Sequence, residues 1–173
     1  MAETVERSLT IRAPRERVWQ TLTDPDKVGR WLLPPALGAQ IKHDESGRLC
    51  VGMGPMEIPI ASVEDVRPQE SLTWRSWPDG LIASRLTLAD DNAGTRVTVS
   101  VDGFEAFAAD AREARQRPTA LGWEQTLGNL AAVVAGGELP HPEGRTTALF
   151  GYRRDYNQSF LVERSIWIAA PRE

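Results

Sequence analysis

Across residues 40–102 the chain is cut into short runs in which apolar residues fall on every second position, and beyond Gly103 the spacing becomes helical. Few architectures accept that order. Turn residues separate the runs at Glu45-Ser46-Gly47, Gly52-Met53-Gly54-Pro55, Arg67-Pro68-Gln69, Pro78-Asp79-Gly80 and Asp90-Asp91-Asn92-Ala93-Gly94, and period-two segments joined this closely read as antiparallel hairpins. The inward sets are Leu49/Val51/Met53, Leu72/Trp74, Leu86/Leu88 and Val97/Val99/Val101. Met56, Ile58 and Ile60 keep the period but enclose Pro59, which has no ladder donor and marks an edge or a bulge.

The flanks supply one more strand and the helices. Val5, Leu9 and Ile11 alternate with polar residues as in a half-buried strand. Arg7 falls on its inward side near the strand's start, where its guanidinium can reach the rim. Ala13-Pro14 opens a short helix carrying Val18, Trp19 and Leu22. Asp24-Pro25 opens a second one with Val28, Trp31 and Leu32, Asp being suited to the cap and Pro to the first turn. After Gly103, Phe104, Phe107, Ala111 and Ala114 make a short amphipathic segment that Pro118 is expected to interrupt. Thr119 then caps a longer helix with Trp123, Leu127, Leu130 and Val134 on one face, closed by Gly136-Gly137. A sheet with one apolar face needs a cover, and this last helix is the element long enough to provide it. The fold class is α+β.

The two ends of the chain repeat each other. Residues 5–16 reappear as residues 162–173, with nine of the twelve positions identical and a Leu/Ile exchange between Leu9 and Ile166. Shared strand composition explains matching parity, but not the common Glu-Arg-Ser and Ala-Pro-Arg-Glu flanks. An offset of one domain plus linker implies a tandem arrangement. The expected division is a domain over 1–137, a linker over 138–160, and the first strand of a second copy over 161–173. That strand is expected to add to a sheet edge or to pair two copies of the chain.

Composition narrows the function. The 173 residues carry 20 basic and 24 acidic side chains, a net charge of −4, and neither sign forms a block, which argues against nucleic acid as a partner. No apolar run approaches the roughly 20 residues of a membrane span, and the N-terminus is acidic where a secretion signal would be basic. A cytoplasmic, membrane-free protein is expected. Cys50 is the sole cysteine and there are two histidines, so an intramolecular disulfide is impossible and no zinc-site spacing is present. His43 and Cys50 flank a turn, but tight hairpin registers set His43 opposite Arg48 or Leu49, and alternation turns Cys50 outward. His141 follows Pro140 in the expected linker with no partner legible. Neither a nucleophile elbow nor a phosphate loop occurs, and neither cofactor nor metal is expected.

In Glu6-Arg7-Ser8-Leu9-Thr10-Ile11-Arg12-Ala13-Pro14, Val18-Trp19, Leu22-Thr23-Asp24-Pro25 and Trp31 the chain resembles the START-like (SRPBCC) superfamily. Within it, it is similar to the bacterial branch of the family named after the activator of heat-shock protein 90 ATPase. Leu72-Thr73-Trp74, Gly94-Thr95-Arg96-Val97-Thr98-Val99, Gly103-Phe104, Gly122-Trp123 and Leu127 complete the resemblance, which spans residues 5–137. It implies a helix-grip fold: a seven-stranded antiparallel sheet wrapped around a long C-terminal helix, with two short helices after the first strand. It also implies a cavity between sheet and helix that holds an apolar small molecule in many relatives. The chemistry stays open, because relatives include carriers, receptors, aromatase/cyclases and co-chaperone domains.

Six of the 12 aromatic residues are Trp, and an indole can serve as core or as the wall of a pocket. Trp31, Trp74 and Trp123 are expected to converge near the cavity mouth. Met53, Met56, Ile58, Leu86, Phe104, Phe107 and Leu127 complete the candidate lining. The expected function is binding of an apolar or aromatic small molecule. Two alternatives are an aromatase/cyclase-like enzyme, which needs ionisable groups in the cavity, and a co-chaperone-like interaction domain, which needs an exposed apolar patch.

Overall fold

The turn at Asp91 to Gly94 brings β6 (Ala83–Asp91) back along β7 (Gly94–Asp102), and β7 in turn pairs with β1 (Val5–Ile11) at the other end of the chain. The computed structural model describes residues 4–32, 40–43, 47–53, 55–76 and 78–142. Residues 143–173, with most of the expected linker and the whole second copy of the first strand, lie outside the described residues. With β2 (Gln40–His43), β3 (Arg48–Met53), β4 (Met56–Arg67) and β5 (Ser71–Ser76) the strands make one seven-stranded antiparallel sheet, ordered β1-β7-β6-β5-β4-β3-β2. The expected meander and helix-grip order are both present.

Between β1 and β2 lie α1 (Arg15–Thr23) and α2 (Pro25–Trp31). Asp24 caps α2 by accepting from the Asp26 N–H at 3.0 Å, with Pro25 in the first turn. Pro14 stands one residue outside α1, at its cap. A 3-10 turn (Phe104–Ala106) then leads into α3 (Ala109–Ala135), which ends on Gly136 at φ 73°.

One expectation fails in α3. It runs as a single helix through Pro118 instead of breaking there. Proline in a helix interior removes one backbone bond and costs about 3 kcal/mol. The buried face outweighs that locally: Trp123, Leu127, Leu130 and Val134 pack into the core on one side of Pro118, and Arg115 is buried on the other. Thr119 does not cap a new helix; its hydroxyl donates to the Arg115 carbonyl at 2.7 Å, inside the turn that contains the proline.

The core fills the space between the sheet's concave face and the three helices. Val97, Val99 and Val101 from β7, Leu86 and Leu88 from β6, and Leu72 and Trp74 from β5 meet Val18, Leu22, Val28 and the α3 stripe. Pro59 does mark a bulge: Leu49 pairs with Ala61 and Cys50 with Pro59, so Ile60 is the extra residue of β4. The strand is nonetheless internal, between β3 and β5.

Two glycines hold the frame. A Cβ on Gly94, at φ 144°, would stand 2.2 Å from the Ile11 carbonyl oxygen, and one on Gly103, at φ 102°, 1.9 Å from that of Leu81. Only glycine lets these backbones approach so closely. Beyond α3, residues 138–142 are tied back to the domain. Asn129, fully buried, donates to the His141 carbonyl at 2.7 Å and accepts from the His141 N–H at 3.0 Å. Leu139 packs against the core, so this part of the expected linker belongs to the folded unit.

Candidate functional site

Trp31 leaves the last turn of α2, Trp74 stands on the concave face of β5, and Trp123 lies mid-way along α3. The fold stacks all three. The Trp31 and Trp74 ring centroids are 5.9 Å apart with planes inclined by 20°, and those of Trp74 and Trp123 are 6.1 Å apart at 19°. Such offset pairs contribute about 0.5–1.5 kcal/mol each beyond the area they bury. Convergence is as expected, but its position is not: the rings are 0%, 5% and 1% exposed, in the interior instead of at a mouth, because each covers the next.

The polar ends of the first two rings differ. Trp31 Nε1 donates to the Thr21 carbonyl at 3.1 Å, closing α2 onto α1. Trp74 Nε1 is buried and has no hydrogen-bond partner among the described residues. A buried donor without an acceptor costs about 1–3 kcal/mol, so the central ring carries a polar handle that the described residues leave unanswered.

Among the remaining candidates, Leu86, Phe104 and Leu127 are buried in the same core. Phe107 is partly buried, with the Arg115 guanidinium carbon 4.1 Å above its ring centroid. The side chains of Met53, Met56 and Ile58 lie outside the described part of the structure, although their backbones join β3 and β4.

Arg115 escaped the sequence reading. It is 9% exposed on the buried face of α3, two turns or about 12 Å before Trp123, and its Nη1 donates to the Ala111 carbonyl at 3.2 Å. Breaking the helix at Pro118 reset the phase of the pattern. Carried back from Trp123 without a break, the period reaches Thr119 and then Arg115. Arg7 behaves as expected, half exposed with its Nε 3.9 Å from Glu124 of α3. His43 pairs with Leu49, one of the two expected partners. Cys50 is not exposed on its outward side: it is buried, next to buried Leu49. Neighbouring strand residues point to opposite faces, so β3 is covered on both sides there.

A separate groove of about 490 Å³ opens between α1, α2 and the end of α3, lined by Pro14, Glu16, Arg17, Gln20, Thr21, Lys27, Arg30, Val133 and Val134. Its lining is mainly polar, and Lys27 within it pairs with Asp24 at 3.4 Å. At the turn between β6 and β7, the Thr10 hydroxyl donates to Asp91 at 2.9 Å. That bond, followed by the Ala93 N–H and the nearby Arg96, holds the Asp91 carboxyl below its ordinary pKa. Among the described residues no three His, Cys, Asp or Glu side chains converge as a metal site, and no helix is long and apolar enough to cross a membrane. Val66, Leu81 and Leu121, the large apolar side chains exposed among the described residues, sit on β4, on the segment before β6 and on α3.

The sequence profile described as "Activator of Hsp90 ATPase homolog 1-like protein" matches residues 12–135. The chain belongs to this family. Its matched segment runs from the end of β1 to the end of α3 and so includes all three stacked tryptophans. Among solved structures, protein CV1439 from Chromobacterium violaceum is 25% identical, with 78% of this chain and 98% of that one covered at a TM-score of 0.55. The Aha1 dimer from Colwellia psychrerythraea is 14% identical at a TM-score of 0.59, covering 80% and 99%. DynU16, described as a putative protein in the dynemicin biosynthetic locus, is 19% identical at a TM-score of 0.57, covering 80% of this chain and 49% of that one. The latter two likenesses are of fold. No curated protein matches the chain.

Proposed function

We propose that this member of the family binds a flat, largely apolar small molecule bearing a hydrogen-bond acceptor, held between the sheet and α3 against the tryptophan stack. The observation that carries the reading is Trp74 Nε1, buried and without an acceptor among the described residues. A ligand carbonyl or hydroxyl oxygen would satisfy it. The Trp31 and Trp123 rings stacked on Trp74 make the surroundings of that donor flat and aromatic, and ligand sites generally combine apolar walls with few polar groups that set orientation. Arg115, on the same face of α3, offers a second polar point about 12 Å along the helix from Trp123.

Fluorenone and fluorene test this directly, being alike in outline while only the first has an acceptor oxygen. Native mass spectrometry of the purified protein identifies any co-purifying molecule, and titration followed by tryptophan fluorescence compares the two probes. The expected result is a preference of about two- to tenfold for fluorenone, the worth of one hydrogen bond. Trp74→Phe should erase the preference while leaving fluorene binding in place. Equal binding of the two probes, or a preference that survives Trp74→Phe, rules the reading out.

A further inference from the structure

The groove between α1, α2 and the end of α3 lies apart from the tryptophan stack, and its volume of about 490 Å³ is within the range of small-molecule sites. Its cations come from two helices. Arg17 shares one face of α1 with Gln20 and Thr21, three and four residues further on, and Lys27 shares one face of α2 with Arg30. All five line the groove, together with the carboxylate of Glu16. Lys27 is answered by Asp24 at 3.4 Å, whereas Arg17 and Arg30 form no ion pair among the described residues. We propose that this groove binds a small, water-soluble phosphomonoester, its phosphate dianion among Arg17, Lys27 and Arg30 and its polar body against Glu16, Gln20 and Thr21.

Two unanswered guanidinium groups beside an ammonium suit a dianion, because each planar fork can take two phosphate oxygens at once. Phosphate alone would leave most of the groove empty: its five heavy atoms fill about a third of the volume at about 30 Å³ each. The rest of the lining asks for hydroxyl donors, as on a polyol or sugar. Glu16 only accepts, Gln20 accepts and donates, and the Thr21 hydroxyl already spends its proton on the Arg17 carbonyl at 3.0 Å. A lipid headgroup fits less well, since Val66, Leu81 and Leu121, the large apolar side chains exposed among the described residues, all lie outside the groove. The end of α3 is the one unfavourable neighbour, being the negative pole of its helix. There the Ala132 and Val133 carbonyls already accept from the N–H groups of Gly137 and Gly136, at 2.9 and 3.1 Å. The net charge of −4 is screened beyond about 8 Å at physiological salt, so the nearby cations decide what enters.

Trp31 donates through Nε1 to the carbonyl of Thr21 in the groove wall, so tryptophan fluorescence can follow occupancy, with titration calorimetry beside it. The full chain is titrated with glucose 6-phosphate, ribose 5-phosphate and glycerol 3-phosphate. At least one of the three should bind with a Kd below about 1 mM, and the matching unphosphorylated compounds and sodium sulfate at least about tenfold more weakly. Arg17 and Arg30 are exposed, so Arg17→Gln and Arg30→Gln should keep the urea unfolding midpoint while weakening the tightest ester by about five- to twentyfold each. Arg85→Gln removes the same charge from an exposed position of β6 and should leave binding within about twofold. The proposal is overturned if no ester binds below about 1 mM, if sulfate or the unphosphorylated compound binds as tightly as its ester, or if Arg85→Gln weakens binding as much as Arg17→Gln does. Tighter retention on vesicles of phosphatidylcholine with phosphatidic acid, abolished by Arg17→Gln, would assign the groove to a membrane surface and overturn it as well.

Discussion

Trp74→Phe removes the central indole N–H, buried without an acceptor among the described residues, and the sign of its effect on stability is unusual. The substitution removes the N–H and about two ring carbons but keeps an aromatic ring between Trp31 and Trp123. Two carbons of lost burial destabilise by about 1.6 kcal/mol, at about 0.8 kcal/mol each. Removing the unsatisfied donor returns about 1–3 kcal/mol. The ligand-free protein should thus change by between about 0.6 kcal/mol of loss and about 1.4 kcal/mol of gain. Trp31→Phe is the matched control, because its N–H donates to the Thr21 carbonyl at 3.1 Å. That variant loses the same carbons and a hydrogen bond worth about 0.5–1.5 kcal/mol, for a total of about 2–3 kcal/mol. Urea unfolding followed by far-ultraviolet circular dichroism should separate the two by about 1.5–4.5 kcal/mol. Equal losses in both variants would refute the reasoning, since the Trp74 donor would then have an acceptor of its own.

Three further outcomes follow from the geometry. Pro118→Ala restores a backbone bond inside a continuous helix and should stabilise by about 1–3 kcal/mol, a rise in Tm of several degrees; an unchanged or lower Tm would mean that the helix is broken there. Gly94→Ala forces a Cβ to within 2.2 Å of the Ile11 oxygen at a positive φ and should destabilise by about 3 kcal/mol or more in the same urea assay, whereas a loss under about 1 kcal/mol would show that β1 and β7 can part freely. Asp91 titrates below its ordinary value chiefly because of the Thr10 hydroxyl. Its contribution to stability is therefore present above the ordinary carboxylate pKa and lost as the pH falls through the lowered one. Carboxyl-carbon NMR of Thr10→Val should find the Asp91 pKa moved upward, and an unmoved titration would contradict the assigned cause.

The elements of this fold were legible because each rests on a local rule. Alternation along Val97, Val99 and Val101 can bury only one face of a strand, Asp24-Pro25 is suited only to a helix start, and Gly136 to a helix end. Even the bulge announced itself, through a proline that cannot donate within β4. Errors arose where a local rule met a tertiary competitor. Pro118 breaks an isolated helix but not one whose two ends are buried against the sheet, and that misreading also concealed Arg115. Cys50 was turned outward by alternation, whereas β3 is covered on both sides at that point.

The sequence by itself determined the strand and helix order, the residues of the apolar faces and the repeat that links the two ends of the chain. These follow from the period of side-chain direction and from direct identity, and neither requires knowledge of what lies opposite. Only the tertiary structure decided that Trp31, Trp74 and Trp123, spread over 93 positions of the chain, form one stack, and that the first two differ: one N–H has a carbonyl 3.1 Å away and the other has none described. Whether a buried donor is answered depends on backbone oxygens brought in from distant segments, and no spacing along the chain encodes their positions.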